Sequence, residues 1–148
     1  MPSISHTIYI ADDDEDDQFL LQTAFASTDL GCQLKFFGNG EQLLKQLTEE
    51  NRPPTMVLLD LNMPILDGFQ TLVKLRSQVA YETLPVVILT TSNQQSDVQK
   101  AYELGANSFI TKPHQYADLL RTVQQLEQFW LNIAQLPRPP QADGTADS

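Results

Sequence analysis

The sequence predicts an α/β fold, a doubly wound parallel sheet with helices on both faces. Short apolar runs alternate five times with longer stretches of helical spacing. Two runs, Met56-Val57-Leu58-Leu59 and Pro85-Val86-Val87-Ile88-Leu89, are continuously apolar, as strands covered on both faces are. Five βα units in succession imply parallel pairing.

Each element has its own signal. Thr7 to Ala11 is a short β-rich run that ends at a block of acids. Phe19, Leu20, Thr23 and Ala24 then recur at helical spacing, and the first helix is expected to end near Leu30-Gly31. Cys32 to Phe37 reads as the second strand, broken by Gly38-Asn39-Gly40. Leu43, Leu44 and Leu47 mark the second helix, and Asn51-Arg52-Pro53-Pro54 stops it. The strand Met56 to Leu59 leads into a loop over Pro64 to Gly68, and Phe69, Leu72, Val73 and Leu75 give the third helix. Pro85 to Leu89 is the fourth strand. Gln95 to Leu104 is the fourth helix, stopped at Gly105. Ser108 to Thr111 is the fifth strand, cut by Pro113, and a long fifth helix runs from Tyr116 to about Ile133. Its core stripe is Tyr116, Leu119, Val123, Leu126 and Trp130, with Phe129 and Leu136 well off that stripe. Off-stripe aromatics suit either a contact surface or burial under the chain that follows.

The 148 residues suffice for one domain with a core that needs no staples. Nine basic against nineteen acidic residues leave a net charge of −10, which repels phosphate backbones and anionic lipid. No nucleic-acid or membrane partner is therefore expected. Cys32 is the one cysteine, so an intrachain disulfide and a multi-thiolate zinc site are excluded. No secretory signal or bilayer-spanning run is visible, and the expectation is a cytoplasmic protein. Residues 1–136 are read as one domain. Residues 137–148, rich in proline and then small and polar, are read as an extended or disordered tail with no output domain.

In doubly wound sheets ligands bind beyond the carboxyl ends of the strands. The first strand runs into Asp12-Asp13-Asp14-Glu15-Asp16-Asp17. Acids suit a helix start, but six in succession repel one another and call for a cation. Asp60 follows the third strand. It suits a plain turn, yet adjacency of the first and third strands would set it beside Asp12 and Asp13, where a hard cation such as Mg²⁺ relieves the crowding. Thr90 and Thr91 follow the fourth strand, and Ser92-Asn93-Gln94-Gln95 fits a capping box. Lys112 ends the fifth strand facing the acids. Three acids, a hydroxyl and one cation at four strand ends form a constellation suited to handling a phosphoryl group. His6 and His114 lack ligand spacing and read as a loop residue and a helix-start residue. No glycine-rich phosphate loop is present.

Together, Ile10-Ala11-Asp12-Asp13, Leu58-Leu59-Asp60-Leu61-Asn62-Met63-Pro64, Asp67-Gly68, Leu89-Thr90 and Lys112-Pro113 resemble the response regulator receiver domain, over about Thr7 to Ile133. The resemblance implies a flavodoxin-like fold, five parallel strands in order 2-1-3-4-5 with five flanking helices. It implies a component of a two-component phosphorelay rather than an enzyme with an external substrate. Asp60 would be the phosphoacceptor, taking the group from a sensor histidine kinase or a histidine phosphotransfer protein. Asp13 and Asp60 would ligate Mg²⁺ directly, Asp12 through water, and Asn62 through its backbone carbonyl, with Mn²⁺ an acceptable substitute. Lys112 and Thr90 would bind phosphoryl oxygens, with Thr91 at the access to Asp60. Phe109 would follow Thr90 inward and change the surface of the fourth helix, fifth strand and fifth helix (α4-β5-α5). Pro113 would follow a cis peptide bond. Asp14 to Asp17 exceed what the metal needs and read as solvated acids. Phe109 stands where many members have tyrosine, and Thr91 where a smaller residue is common. The ending Phe129-Trp130-Leu131 with Leu136-Pro137 resembles small receivers that partner phytochrome-type kinases, several of which dimerise. A homodimer would use α4-β5-α5 or the C-terminal helix.

Two other readings compete. A metal-dependent phosphohydrolase or phosphotransferase also sets an aspartate nucleophile after a strand, but usually needs a second acid shortly after it and a cap. Here Asn62 stands two residues after Asp60, and no insertion is long enough for a cap. A receiver-like module without phosphorylation would not need Asp12, Asp13, Asp60, Thr90 and Lys112 together.

Overall fold

The computed structural model describes residues 6–28, 31–50 and 52–133. The expected helix end at Leu30, the residues Asn51 and Leu136, and the 137–148 tail lie outside them. The elements run β1 (Thr7–Ala11), α1 (Glu15–Ala26), β2 (Gln33–Phe37), α2 (Gly40–Glu49), β3 (Met56–Leu59), α3 (Gly68–Arg76), a 3₁₀ turn (Val79–Tyr81), β4 (Val86–Thr90), α4 (Gln95–Glu103), β5 (Ser108–Thr111) and α5 (Tyr116–Leu126). The strands form one parallel sheet in the order β2-β1-β3-β4-β5. This is the predicted flavodoxin-like topology. Among the described residues no helix is long and apolar enough to cross a membrane.

Alternation along the strands divides the core in two. Tyr9, Val57, Leu59, Val86 and Ile88 join Leu43, Leu47, Leu72 and Leu75 of α2 and α3 on one face. Ile8, Ile10, Met56, Leu58, Val87 and Leu89 join Leu21, Ala24 and Phe25 of α1 and Leu119, Val123 and Leu126 of α5 on the other. β3 and β4 are buried throughout, which is why their runs lack polar alternation.

Several expectations shift. α1 buries Leu21, Ala24 and Phe25, whereas Phe19 and Leu20 face outward, so its apolar face is turned from the expected stripe. α1 also stops at Ala26, where the Ser27 and Thr28 hydroxyls donate to the carbonyls of Thr23 and Phe25 and satisfy the open end of the helix. Val73 and Tyr116 are exposed rather than core. Ser92 is not the cap of α4. Gln94 takes that position without a side-chain bond, and the Ser92 hydroxyl instead donates to Asp97 Oδ2 at 2.6 Å. The peptide bond before Pro113 is trans, not cis, like the others among the described residues. The trans form of an X–Pro bond is favoured by about 0.5–1 kcal/mol unless the surroundings reverse it.

The last helix changes winding at Glu127, and Glu127–Ile133 is π-helical. Glu127 is only 3% exposed, and its Oε2 accepts the Cys32 thiol at 3.4 Å and shares the single Thr28 hydroxyl hydrogen with the Phe25 carbonyl, each acceptor 2.8 Å from the hydroxyl oxygen. This clasp joins the ends of α1 and α5 to the start of β2. Trp130 packs against the α1–α5 core, while Phe129 is half exposed and meets the Trp130 ring edge-on at 5.1 Å.

Candidate functional site

β1 and β3 are neighbours in register, with Ala11 opposite Leu59. The next residue in each strand is an aspartate. The Asp60 N–H continues the ladder to the Ala11 carbonyl at 3.0 Å, and the Asp12 N–H reaches Phe37 on the other side at 2.9 Å. Hydrogen bonding of the sheet thus sets the two carboxylates side by side. Both are buried, while Asp13 beside them is exposed. Oxygen atoms of Asp12, Asp13 and Asp60 lie within 4.8 Å of one another.

Lys112 enters from the end of β5, where its N–H continues pairing to the Thr90 carbonyl at 2.7 Å. Its ammonium bonds Asp12 Oδ2 at 2.7 Å, Asp17 Oδ2 at 2.7 Å and Asp60 Oδ2 at 3.1 Å. Burial works to lower the Lys112 pKa, but hydrogen bonds to Asp12 and Asp17 overcome it and the net shift is upward. Lys112 therefore remains a cation. Burial raises the Asp12 carboxyl to about 6 despite bonds from Lys112 and the Asp14 N–H. One ammonium facing four carboxylates leaves a strong excess of negative charge.

The acidic block is not uniform. Asp14 caps α1, its Oδ1 accepting the N–H groups of Asp16 and Asp17. Glu15 and Asp16 are exposed, as expected of solvated acids. Asp17 departs from that expectation and turns to Lys112. A run of like residues gives no hint of which one turns inward. Gln18, also not foreseen, donates its amide to the Asp12 carbonyl at 2.6 Å.

The other predicted residues lie around this centre. Asn62 is on the loop after Asp60, its N–H directed to Asp60 Oδ1 at 3.3 Å. Thr90 is fully buried at the end of β4, and Thr91 beside it is exposed. Neither hydroxyl is bonded to the carboxylates. Phe109 is partly buried against the α2–α3 side of the core. His6 bonds Thr55 at 3.2 Å and His114 is exposed, so neither joins the site.

The donor set fits a hard divalent cation. Three carboxylates converge with Asp13 open to solvent, and oxygen-only ligation with room for water is what Mg²⁺ or Mn²⁺ requires. A family model described as the response regulator receiver domain matches residues 8–124. The chain belongs to the response regulator receiver family.

Receiver domains are signalling modules of two-component systems, phosphorylated on aspartate, and divalent-metal binding is typical of them. They interact with histidine kinases and downstream targets. This receiver is 34% identical to the response regulator Rcp1 of Synechocystis sp. over 135 residues, covering 88% of this chain and 92% of the relative. It is 36% identical over 107 residues to a probable chemotaxis protein CheY of Rhizobium etli, covering 72% of this chain and 80% of that one. The Mn²⁺-bound form of Rcp1 superposes with a TM-score of 0.81 at 33% identity, covering 90% of this chain and 99% of that structure. The phosphorylated cyanobacterial phytochrome response regulator RcpA superposes with a TM-score of 0.85 at 31% identity and the same coverage. The similarity to Rcp1 and RcpA supports the subgroup that the last helix resembles.

Proposed function

We propose that this receiver accepts a phosphoryl group on Asp60 from the phosphohistidine of a sensor kinase or a histidine phosphotransfer protein, with Mg²⁺ bound. The observation that carries the reading is the Lys112 ammonium bonded to both Asp12 and Asp60 where the sheet ends, with Asp13 completing the trio.

Asp13 and Asp60 would hold the metal directly, Asp12 through water, and the Asn62 carbonyl would complete the protein ligands. The bound cation supplies positive charge that offsets repulsion between the acids and the incoming phosphoryl group. An Asp60 carboxylate oxygen forms the new bond to phosphorus as the P–N bond breaks, its electron pair staying on the imidazole of the donor. The product is an acyl phosphate. Lys112 then gives up Asp60 for a phosphoryl oxygen, and the Thr90 hydroxyl turns toward another. Thr91 borders the approach to Asp60. Phe109 follows Thr90 inward, changing the α4-β5-α5 surface and with it partner binding or dimerisation. Catalysis is self-directed, limited to phosphotransfer onto Asp60 and slow loss of the phosphate.

The test is intact mass with acetyl phosphate or beryllofluoride plus Mg²⁺, alongside size-exclusion with light scattering. A metal-dependent adduct on the wild type that is absent from Asp60→Asn supports the assignment. Full labelling of Asp60→Asn at another residue overturns it.

A further inference from the structure

A lysine ammonium has three hydrogens, and Lys112 directs them at three carboxylates. Two of those partners, Asp12 and Asp60, belong to the trio that could hold a cation. The third, Asp17, does not. It stands in the first turn of α1, its N–H fixed by the Asp14 cap, and its side chain is 31% exposed. A divalent cation entering the trio would compete with the ammonium for Asp12 and Asp60, since two cations on shared carboxylates repel one another strongly in so buried a place. The retreating ammonium then has one partner that the cation does not use.

From this geometry we infer that Asp17 is a positioning residue, holding Lys112 at the rim of the site so that a divalent cation displaces only part of its contacts. Without Asp17 the ammonium has Asp12 and Asp60 alone, settles between them, and must be expelled for the cation to enter. Asp17 acts through Lys112 and is not itself a ligand. The inference rests on the proposed metal trio.

The experiment is calorimetric titration of the full chain with Mg²⁺. Asp17→Asn is compared with Asp16→Asn, which removes the same charge from the same turn at a residue without contact to Lys112. Asp17 lies on the surface side of the ion pair, so both variants are expected to fold. Asp16→Asn is expected to weaken Mg²⁺ binding less than about twofold, as a screened surface charge does. Asp17→Asn is expected to weaken it roughly fivefold or more, within the range for groups in direct contact. In a Lys112→Met background the two variants should behave alike. Equal effects in the wild-type background overturn the inference. So does a gap that persists without Lys112, which would mean that Asp17 acts on the metal directly. A wild type that binds no Mg²⁺ removes the trio reading together with this one, whereas binding with equal variants removes this one alone.

Discussion

The Tyr102 hydroxyl accepts the Phe109 N–H at 3.1 Å and so ties α4 to the edge strand β5. α4 buries only Ala101, and the rest of its attachment is largely polar. Ser92 reaches Asp97, the Thr111 hydroxyl donates to the Ser92 carbonyl at 2.9 Å, and Lys100 lies 4.4 Å over the Phe69 ring. Elements with little apolar burial open at low cost. Tyr102→Phe should therefore speed hydrogen exchange at the Phe109 amide about two- to tenfold, the equivalent of one net hydrogen bond. Amide exchange followed by NMR checks this, and an unchanged rate would mean that the contact does not protect the strand.

Lys112→Ala should permit labelling of Asp60 while uncoupling it from the α4-β5-α5 surface. The variant removes the cation that would reach the phosphoryl group but leaves the nucleophile. Intact mass reports labelling, and amide shifts on beryllofluoride addition report the surface. A surface response of wild-type size would contradict the prediction.

Gly68→Ala should damage both stability and labelling. A β-carbon at Gly68 would lie 2.3 Å from the Asp60 carbonyl oxygen and 2.7 Å from Leu61 Cα, so backbone must shift. Forced shifts of that kind cost about 1–3 kcal/mol. Urea denaturation and the rate of acetyl phosphate labelling should both show the loss, because the displaced residue is the proposed phosphoacceptor itself. Normal labelling in a destabilised variant would separate the two.

Burial, reinforced by the bond and charge of Glu127, pushes the Cys32 thiol up to about 12. At pH 8 such a thiol should react with a disulfide reagent roughly thirtyfold more slowly than an ordinary one, since the thiolate is the nucleophile and its greater basicity offsets only about half of its scarcity. Glu127→Gln should speed the reaction. The raised value also fixes a sign. The stability this thiol contributes is fully present below its unfolded pKa near 9 and is lost as pH rises through about 12. The Tyr9 phenol, raised chiefly by burial, adds to the same trend. Urea midpoints should fall across that range, and less steeply in Cys32→Ser.

What the sequence made legible was what depends on local runs. Met56 to Leu59 could hardly be anything but a covered strand, and Asp60 directly behind it had to lie at the sheet's carboxyl edge. Asp12 and Lys112 followed by the same reasoning. Features set by the phase of a helix were harder. Phe19-Leu20-Leu21 gives three successive apolar positions, so the buried face could start at any of them, and packing against α5 selected Leu21. Asp17 sits among like residues, and its partner lies 95 positions away. Ser92 has the spacing of a capping box, yet the helix starts later, with Gln94 at the cap, and the Ser92 hydroxyl donates to the Asp97 carboxylate of the first turn. The bond before Pro113 was expected from family resemblance alone, and nothing in its neighbours' chemistry forced either isomer.

The ammonium between Asp12 and Asp60 has one more consequence. Small metal-organised domains stay unfolded until their ion arrives. Here the chain carries a counter-charge of its own to the heart of the acidic cluster, so assembly of the sheet need not wait for a divalent ion. An ion held there, as proposed, would be a visitor rather than a structural member. Its coming and going would follow supply while the architecture that receives it stays in place.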